Sequence, residues 1–483
     1  MSSAQISAAM IDELRAALRG PVLVPGNPAY DEVAPVHNAS ITTRPQVIAR
    51  CVDTADVMAA VSMLRGVEGI DVAVRGGGHN GAGLGTSDGV MLDLGLLAGI
   101  RIDPEARIAH VGGGATIAAM DHAAAAFGLA TPAGIIGSTG VGGLTLGGGH
   151  GHLTRRFGLT IDNLLGADVV LADGSFVRAD AGRDPDLFWA LRGGGGNFGI
   201  VTEFSFRLHP VGIVAAGPTL FPIERAAEIL SWYREFLPTL PREMGAFFAF
   251  MSVPPADPFP AELHLKKVCG VAWCWAGESG GADQHLAEVR AMNPLLDGVA
   301  EMPYPMWNGA FDGLYGPGDQ WYWRGDFVRE ISDEAVAVHA DFGARLPTWK
   351  STMHLYSIDG AVHDVGPDET AWAYRDATYS TVIAGVDPDP ASLPALRDWC
   401  VDYWDAQHPY SAGGGYVNFM MAEGQERVKA TYGSHYQRLA AIKAAYDPDN
   451  LFRMNQNIEP DRTITLPSPR VSSRAASAAG SRS

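Results

Sequence analysis

Residues 74–83 read VRGGGHNGAG, six glycines and alanines around a single histidine. Glycine tolerates positive φ and lets another group approach the main chain closely, and consecutive amides in such a loop form a nest for an anion. The preceding DVAVR (71–75) reads as a strand, so the glycines stand at a strand end. There a diphosphate cradle and a tight turn without a ligand are equally good readings. The loop is not a Rossmann fingerprint. It runs into LGTSDGVMLDL, in which VMLDL (90–94) is a second strand, and no helix follows to set its N-terminus on a pyrophosphate. No GxxxxGK[ST] loop occurs either, and the missing Rossmann context excludes a nicotinamide dehydrogenase.

Glycine clusters recur at 139–151 (TGVGGLTLGGGHG) and 192–204 (RGGGGNFGIVTEF). Around them the sequence predicts a helix in ATIAAMDHAAAAFG closed by Gly128, a hairpin turning at Asp173-Gly174, and a helix in DLFWALRG. In IVTEFSFRL, Ile200, Thr202, Phe204, Phe206 and Leu208 fall on one face of a strand. This is an α+β arrangement. From about 209 to 415 the chain carries most of its tryptophan and tyrosine, with RAAEILSWYREFL as a helix and VCGVAWCW and TAWAYRDATYSTVI as extended stretches. That change of texture predicts a second domain, after which RLAAIKAAYDPDNLF and RMNQNIEP resume a helix-and-loop pattern. At the start, Ile11, Leu14 and Leu18 mark a surface helix before Gly20, without the build of a signal peptide, which points to the cytoplasm. The closing PSPRVSSRAASAAGSRS is too small and polar to order itself.

At 483 residues, 47% hydrophobic and 18% charged, the chain suits two globular parts, and no apolar run approaches the roughly 20 residues that span a bilayer. Its net charge of −19 repels nucleic acid and anionic membrane surfaces. Cys51, Cys269, Cys274 and Cys400 are too scattered for a disulfide framework and read as buried thiols. His150 and His152 lack the further ligands of a zinc site, so no metal is expected.

With the NQNI at 455–458, these clusters resemble the berberine-bridge-enzyme-like branch of the FAD-linked oxidases. This is the fold family typified by vanillyl-alcohol oxidase and para-cresol methylhydroxylase. The likeness runs from YDEVAPVHNASITTRPQVIARC (30–51) through YDPDNLFRMNQNIEP (446–460). It implies an α+β fold: a two-part FAD-binding domain of the para-cresol methylhydroxylase type (1–208 and 416–465). A substrate domain built on an antiparallel sheet (209–415) is inserted, and a disordered tail (466–483) follows. It also implies FAD contacts at Arg75, Gly76, Gly77, Gly78, His79, Asn80, Gly81 and Gly83 in the first cluster. The second would give Thr139, Gly140, Gly143, Leu144, Gly149 and Gly151, and the third Asn197, Gly199, Ile200 and Val201. Asn163, Asn455 and Asn457 complete the set. In such proteins the histidine of RGGGH is bonded to the 8α-methyl carbon of the isoalloxazine, here His79. Many relatives add a cysteine bond to C6. That position is Ile136, so the resemblance implies one tether, as in the 6-hydroxynicotine oxidase type.

A flavin of this kind takes hydride from a carbon bearing OH or NH while a protein group handles the heteroatom proton. In GGGYVNFM, if extended, Tyr416 and Asn418 project to one face, and family members use a tyrosine or acid from this region, so Tyr416 is the first candidate base. A phenol of pKa ~10 needs a positive neighbour or a charge-delocalising flavin for that role. Tyr374, with Arg375 and Tyr379, comes second; each is equally a structural hydrogen-bonder. The aromatic WNGAFDGLYGPGDQWYW (307–323) lines a pocket or packs a core. Thr139, small and beside the flavin, leaves room for O2, so an oxidase releasing H2O2 is expected. Its small-molecule substrate would be a secondary alcohol, lactol or secondary-metabolite hydroxyl, and the aromatic content fits a sizeable ring system. An amine or N-heterocycle oxidase and a flavin-binding protein without turnover are the alternatives, as a monomer or homodimer.

Overall fold

In a computed structural model that describes residues 3–464, the first short apolar runs become three parallel strands. These are Val47–Arg50, Val90–Asp93 and Val72–Arg75, side by side in that order, with Val22–Leu23 antiparallel at the edge. Val47 and Ala49 face the helices Ala8–Ala17 and Thr54–Leu64, while Ile48 and Met91 face Tyr30 and Ala34. Both faces are buried, which is why these strands read as continuous apolar runs.

A second sheet is antiparallel, in the order Ile100–Asp103, Ile108–Gly112, Ile200–Arg207, Leu164–Val170, Phe176–Asp180. Its last two strands are the hairpin at Asp173-Gly174, where Gly174 takes φ +83°. Gly128, at φ +67°, closes the turn after the helix Ile117–Ala125.

Residues 213–387 build a nine-stranded sheet whose central strands are Ile213–Pro222, Lys267–Trp275, Met244–Ser252, Thr352–Ser357 and Tyr379–Asp387, all antiparallel. The helices Ala226–Phe236, Asp333–Ala344 and Leu393–Gln407 cover one face, over Phe248, Phe250, Met353 and Leu355. The other face carries Phe247, Ala249, Tyr356, Val382 and Ala384. The stretch TAWAYRDATYSTVI is extended only from Tyr379 onward, because Arg375 turns aside to pair with Asp162 at 2.7 Å.

After residue 415 the chain returns to the first two sheets. Leu451 and Phe452 enter the core of the parallel sheet, and Leu439, Ile442 and Ile458 that of the five-stranded one. Lys443 is fully buried there because every proton it offers is taken: Asp447 Oδ2 at 2.6 Å, Asn197 O at 2.7 Å and Phe452 O at 3.2 Å. GGGYVNFM is not an extended strand. It folds into a 3-10 turn at Val417–Phe419, and that turn brings Tyr416 and Asn418 together. Among the described residues no helix is long and apolar enough to cross a membrane. The tail expected to be disordered, 466–483, lies outside the described residues.

Candidate active site

The three glycine clusters and the turn at 454–456 converge on one cavity of about 320 Å3, bounded on its far side by the nine-stranded sheet. The first two clusters cross back to back. A Cβ on Gly140 would lie 2.2 Å from the nitrogen of Gly77, and one on Gly77 would lie 2.2 Å from that of Gly140. Main chain cannot yield at that distance, so Gly140→Ala is expected to force the loops apart. Protein purified from this variant should carry little flavin, read from the absorbance ratio of flavin to protein; full loading would contradict the geometry.

The crossing leaves the cradle open. The amides of Gly76, Gly77, Gly78, His79 and Asn80 donate to no protein acceptor among the described residues, although the loop lines the cavity. Half-buried amides without a protein acceptor, five in succession, can serve as an anion nest. Among the described residues Arg75 is the only Asp, Glu, Lys or Arg on the wall, and it is committed to Asp93 at 3.1 Å and to the carbonyls of Val33 and Pro35. A diphosphate here would be met by main-chain dipoles. Asn197 locks the third cluster, donating to Gly194 O at 2.9 Å and accepting from Ile458 N at 3.1 Å, while Asn455 donates to Gly196 O at 3.0 Å. Gly143, Leu144, Gly199, Ile200 and Val201 also face the cavity.

His79 stands at the loop's end with Nε2 2.9 Å from Ser138 Oγ and Nδ1 3.4 Å from Thr139 Oγ1. Its ring stacks on His37, centroids 3.9 Å apart at 21°. Burial first, then His37, pulls its pKa down to about 3, so at neutral pH the imidazole keeps a free lone pair. Ile136, Thr139 and Tyr315 share the wall, as do Trp321 and Trp323. Trp307 instead packs against His152 and Phe311, so the 307–323 stretch divides between pocket and core.

On the sheet side, alternation along Thr352–Ser357 sends Thr352, His354 and Tyr356 into the cavity. Tyr416 is fixed opposite the glycines: its oxygen accepts from Gly149 N at 3.0 Å and from Asn418 Nδ2 at 2.7 Å. Those two bonds favour a phenolate, but burial is the larger effect and holds the phenol well above its ordinary pKa. His150 packs against Tyr416, ring centroids 4.6 Å apart, and binds Ser380 Oγ at 3.2 Å.

Seven expected site residues stand off the cavity wall. Gly81 makes room for Trp323, Gly83 for Ile41, Gly149 for Thr160 and Gly151 for the Ala133 carbonyl, each within 3 Å of the missing Cβ. Asn163 is spent on the carbonyls of Phe157 and Leu159 and on His209. Asn457 uses its carbonyl to accept from Gln425 at 3.1 Å. Tyr374 gives its hydroxyl to Ala430 O at 2.7 Å and stacks on Phe327, so it is corrected from candidate catalyst to packing residue. Arg375 is held by Asp162, and Tyr379 is buried in the helix-covered core. His37, His354 and Tyr356 are on the wall without a sequence expectation that placed them there. The T-x-H-x-Y alternation of 352–356 was the available signal.

An amide nest whose neighbouring cation, Arg75, is already paired with Asp93, opening onto an apolar slot with a neutral histidine at its edge, fits FAD. Two family models match: "FAD binding domain" over residues 45–180 and "Berberine and berberine like" over 415–459. The (R)-6-hydroxynicotine oxidase of Paenarthrobacter nicotinovorans is 30% identical over 467 residues, 92% of this chain and 97% of that one. The crystal structure of 6-hydroxy-D-nicotine oxidase from Arthrobacter nicotinovorans superposes with a TM-score of 0.82 at 26% identity, covering 95% of this chain and all of that one. Glucooligosaccharide oxidase from Acremonium strictum, described as carrying a 6-S-cysteinyl, 8α-N1-histidyl FAD, shares the fold with a TM-score of 0.83 at 24% identity over 94% and 99% of the two chains. The fold is therefore the α+β architecture of these oxidases, a two-part FAD-binding domain with an inserted substrate domain, and the chain belongs to the berberine-bridge-enzyme-like family of FAD-linked oxidoreductases.

Proposed function

We propose that this oxidoreductase is an oxidase of a secondary alcohol, lactol or secondary-metabolite hydroxyl. It holds FAD through one covalent bond, at His79, and passes the electrons to O2 to give H2O2. When bound, FAD supplies the acceptor for the substrate's hydride. The observation that carries the reading is the setting of Tyr416. Two donors occupy its oxygen and no acceptor among the described residues takes its proton, so the phenol is oriented and its exchangeable proton is left to the cavity. Asn418 is the positioning residue: one amide group donates to Tyr416 and to Leu144 O at 3.2 Å. His79 is neutral and held by Ser138, as a nucleophilic imidazole must be. Ile136, where a second tether would need cysteine, supports a single bond. Thr139 is a short side chain on the wall, in keeping with entry of O2.

A second reading, oxidation of an amine or N-heterocycle, is favoured by the relative that is 30% identical and is named for 6-hydroxynicotine. One experiment separates them. Holoprotein is mixed without oxygen with panels of secondary alcohols, lactols and cyclic amines, and the flavin absorbance is followed. Bleaching by alcohols or lactols, with colour and one equivalent of H2O2 returning on aeration, is the expected result. Bleaching by amines alone would install the second reading, and no bleaching by any class would favour a flavin-binding protein without turnover.

A further inference from the structure

The sheet-side wall narrows the substrate class. Thr352, His354 and Tyr356 project from one strand into the cavity, and across the ladder His354 pairs with Val382 and Thr352 with Ala384, both apolar and both on the same wall. His354 is 4% exposed; its Nδ1 lies 2.9 Å from the Tyr356 hydroxyl, and its Nε2 makes no hydrogen bond with any described residue. His354 lines the cavity, so its Nε2 is left without a protein partner on a side chain of the cavity wall.

Resting on the oxidase reading above, we propose that the substrate is an uncharged ring compound whose hydroxyl is recognised by His354 Nε2. His354 is then a specificity-determining residue and Tyr356 its positioning residue. A neutral imidazole has one donor and one acceptor nitrogen. If Tyr356 donates to Nδ1, Nε2 is a donor; if Nδ1 carries the proton, Nε2 is an acceptor. A hydroxyl satisfies either state, whereas an ammonium only donates and a carboxylate only accepts. Charge is disfavoured on independent grounds, since the one charged side chain on the wall among the described residues, Arg75, is already paired with Asp93. The histidines facing the cavity are held neutral by burial, His150 and His354 at about 3, and burial likewise raises Tyr315 to about 12. The ring is argued from the aromatic rings of Tyr315, Trp321 and Trp323 on the same wall.

The test uses holoprotein and probes that lack the hydrogen needed for turnover: dimethyl(naphthyl)carbinol, the amine with NH3+ in place of its hydroxyl, naphthoate, and naphthalene as a ring without a handle. Affinities are read from perturbation of the flavin spectrum and from calorimetry. The carbinol should bind about ten-fold more tightly than the amine or naphthoate, and His354→Leu should remove about ten-fold of carbinol affinity while leaving naphthalene binding and flavin content unchanged. His354→Gln, which keeps a neutral donor and acceptor, should restore most of the loss, and Tyr356→Phe should weaken the carbinol preference. Equal or tighter binding of either charged probe, absence of binding by all four, or equal loss of carbinol and naphthalene in His354→Leu would overturn the proposal. Its failure is distinct from failure of the oxidase reading. Charged probes binding as well as the carbinol while alcohols still bleach the flavin sinks only this inference; a carbinol preference without bleaching by any alcohol sinks only the oxidase.

Discussion

His79→Ala protein precipitated with acid should release its yellow colour into the supernatant, while the parent keeps its colour in the pellet. The expected effect is near-complete loss of acid-stable flavin, because the proposed tether is a single bond with no cysteine at Ile136 to replace it. The imidazole is prepared for bond formation in two ways. It is neutral, with a pKa pulled down to about 3 chiefly by burial, and it is held by Ser138, Thr139 and the stacked ring of His37. The nest amides are main-chain groups that the substitution leaves in place, so the variant should still bind FAD reversibly. Colour lost from parent and variant alike would mean that His79 forms no bond. Colour kept by both would mean that the bond is made elsewhere.

The glycine loops that line the cavity were largely legible in the sequence, and the sheet-side wall was not. Gly77 and Gly140 are demanded by close approach, a local constraint that glycine clusters announce. Gly77 and Gly140 approach each other on the cavity wall, whereas Gly81, Gly83, Gly149 and Gly151 stand off it and make room for Trp323, Ile41, Thr160 and Ala133. A glycine states that something is near but not whether it is ligand or protein. His354 and Tyr356 reach the cavity only because Thr352–Ser357 pairs with Met244–Ser252, about a hundred residues away in sequence. Alternation could place them on one face, but not say which face looks inward. Tyr374 failed for a related reason: its hydroxyl had a carbonyl partner, Ala430, on a helix that the sequence could not bring alongside.

Tyr416→Phe should lower kcat by about 10²–10⁴, the range typical of a lost acid–base group, with KM and flavin content little changed and the melting temperature lowered by a few degrees, because two buried donors lose their acceptor. The substitution removes one oxygen and leaves Gly149 N–H and Asn418 Nδ2 facing the space it occupied. Burial raises the phenol above its ordinary pKa and outweighs the two donated hydrogen bonds. The sequence alone called for a positive neighbour or a delocalising flavin to make Tyr416 basic. The wall provides no free cation, since Arg75 is paired with Asp93. If turnover draws on the phenolate, its population grows as pH rises toward the elevated pKa. The parent's log(kcat/KM) should then climb with unit slope through neutral pH, without a plateau below about pH 10. In Tyr416→Phe that slope should vanish along with the rate. A parent profile that is flat from neutral to mildly alkaline pH would make Tyr416 a hydrogen-bond donor to the substrate instead of its base. A variant with parental kcat would remove Tyr416 from the chemistry altogether.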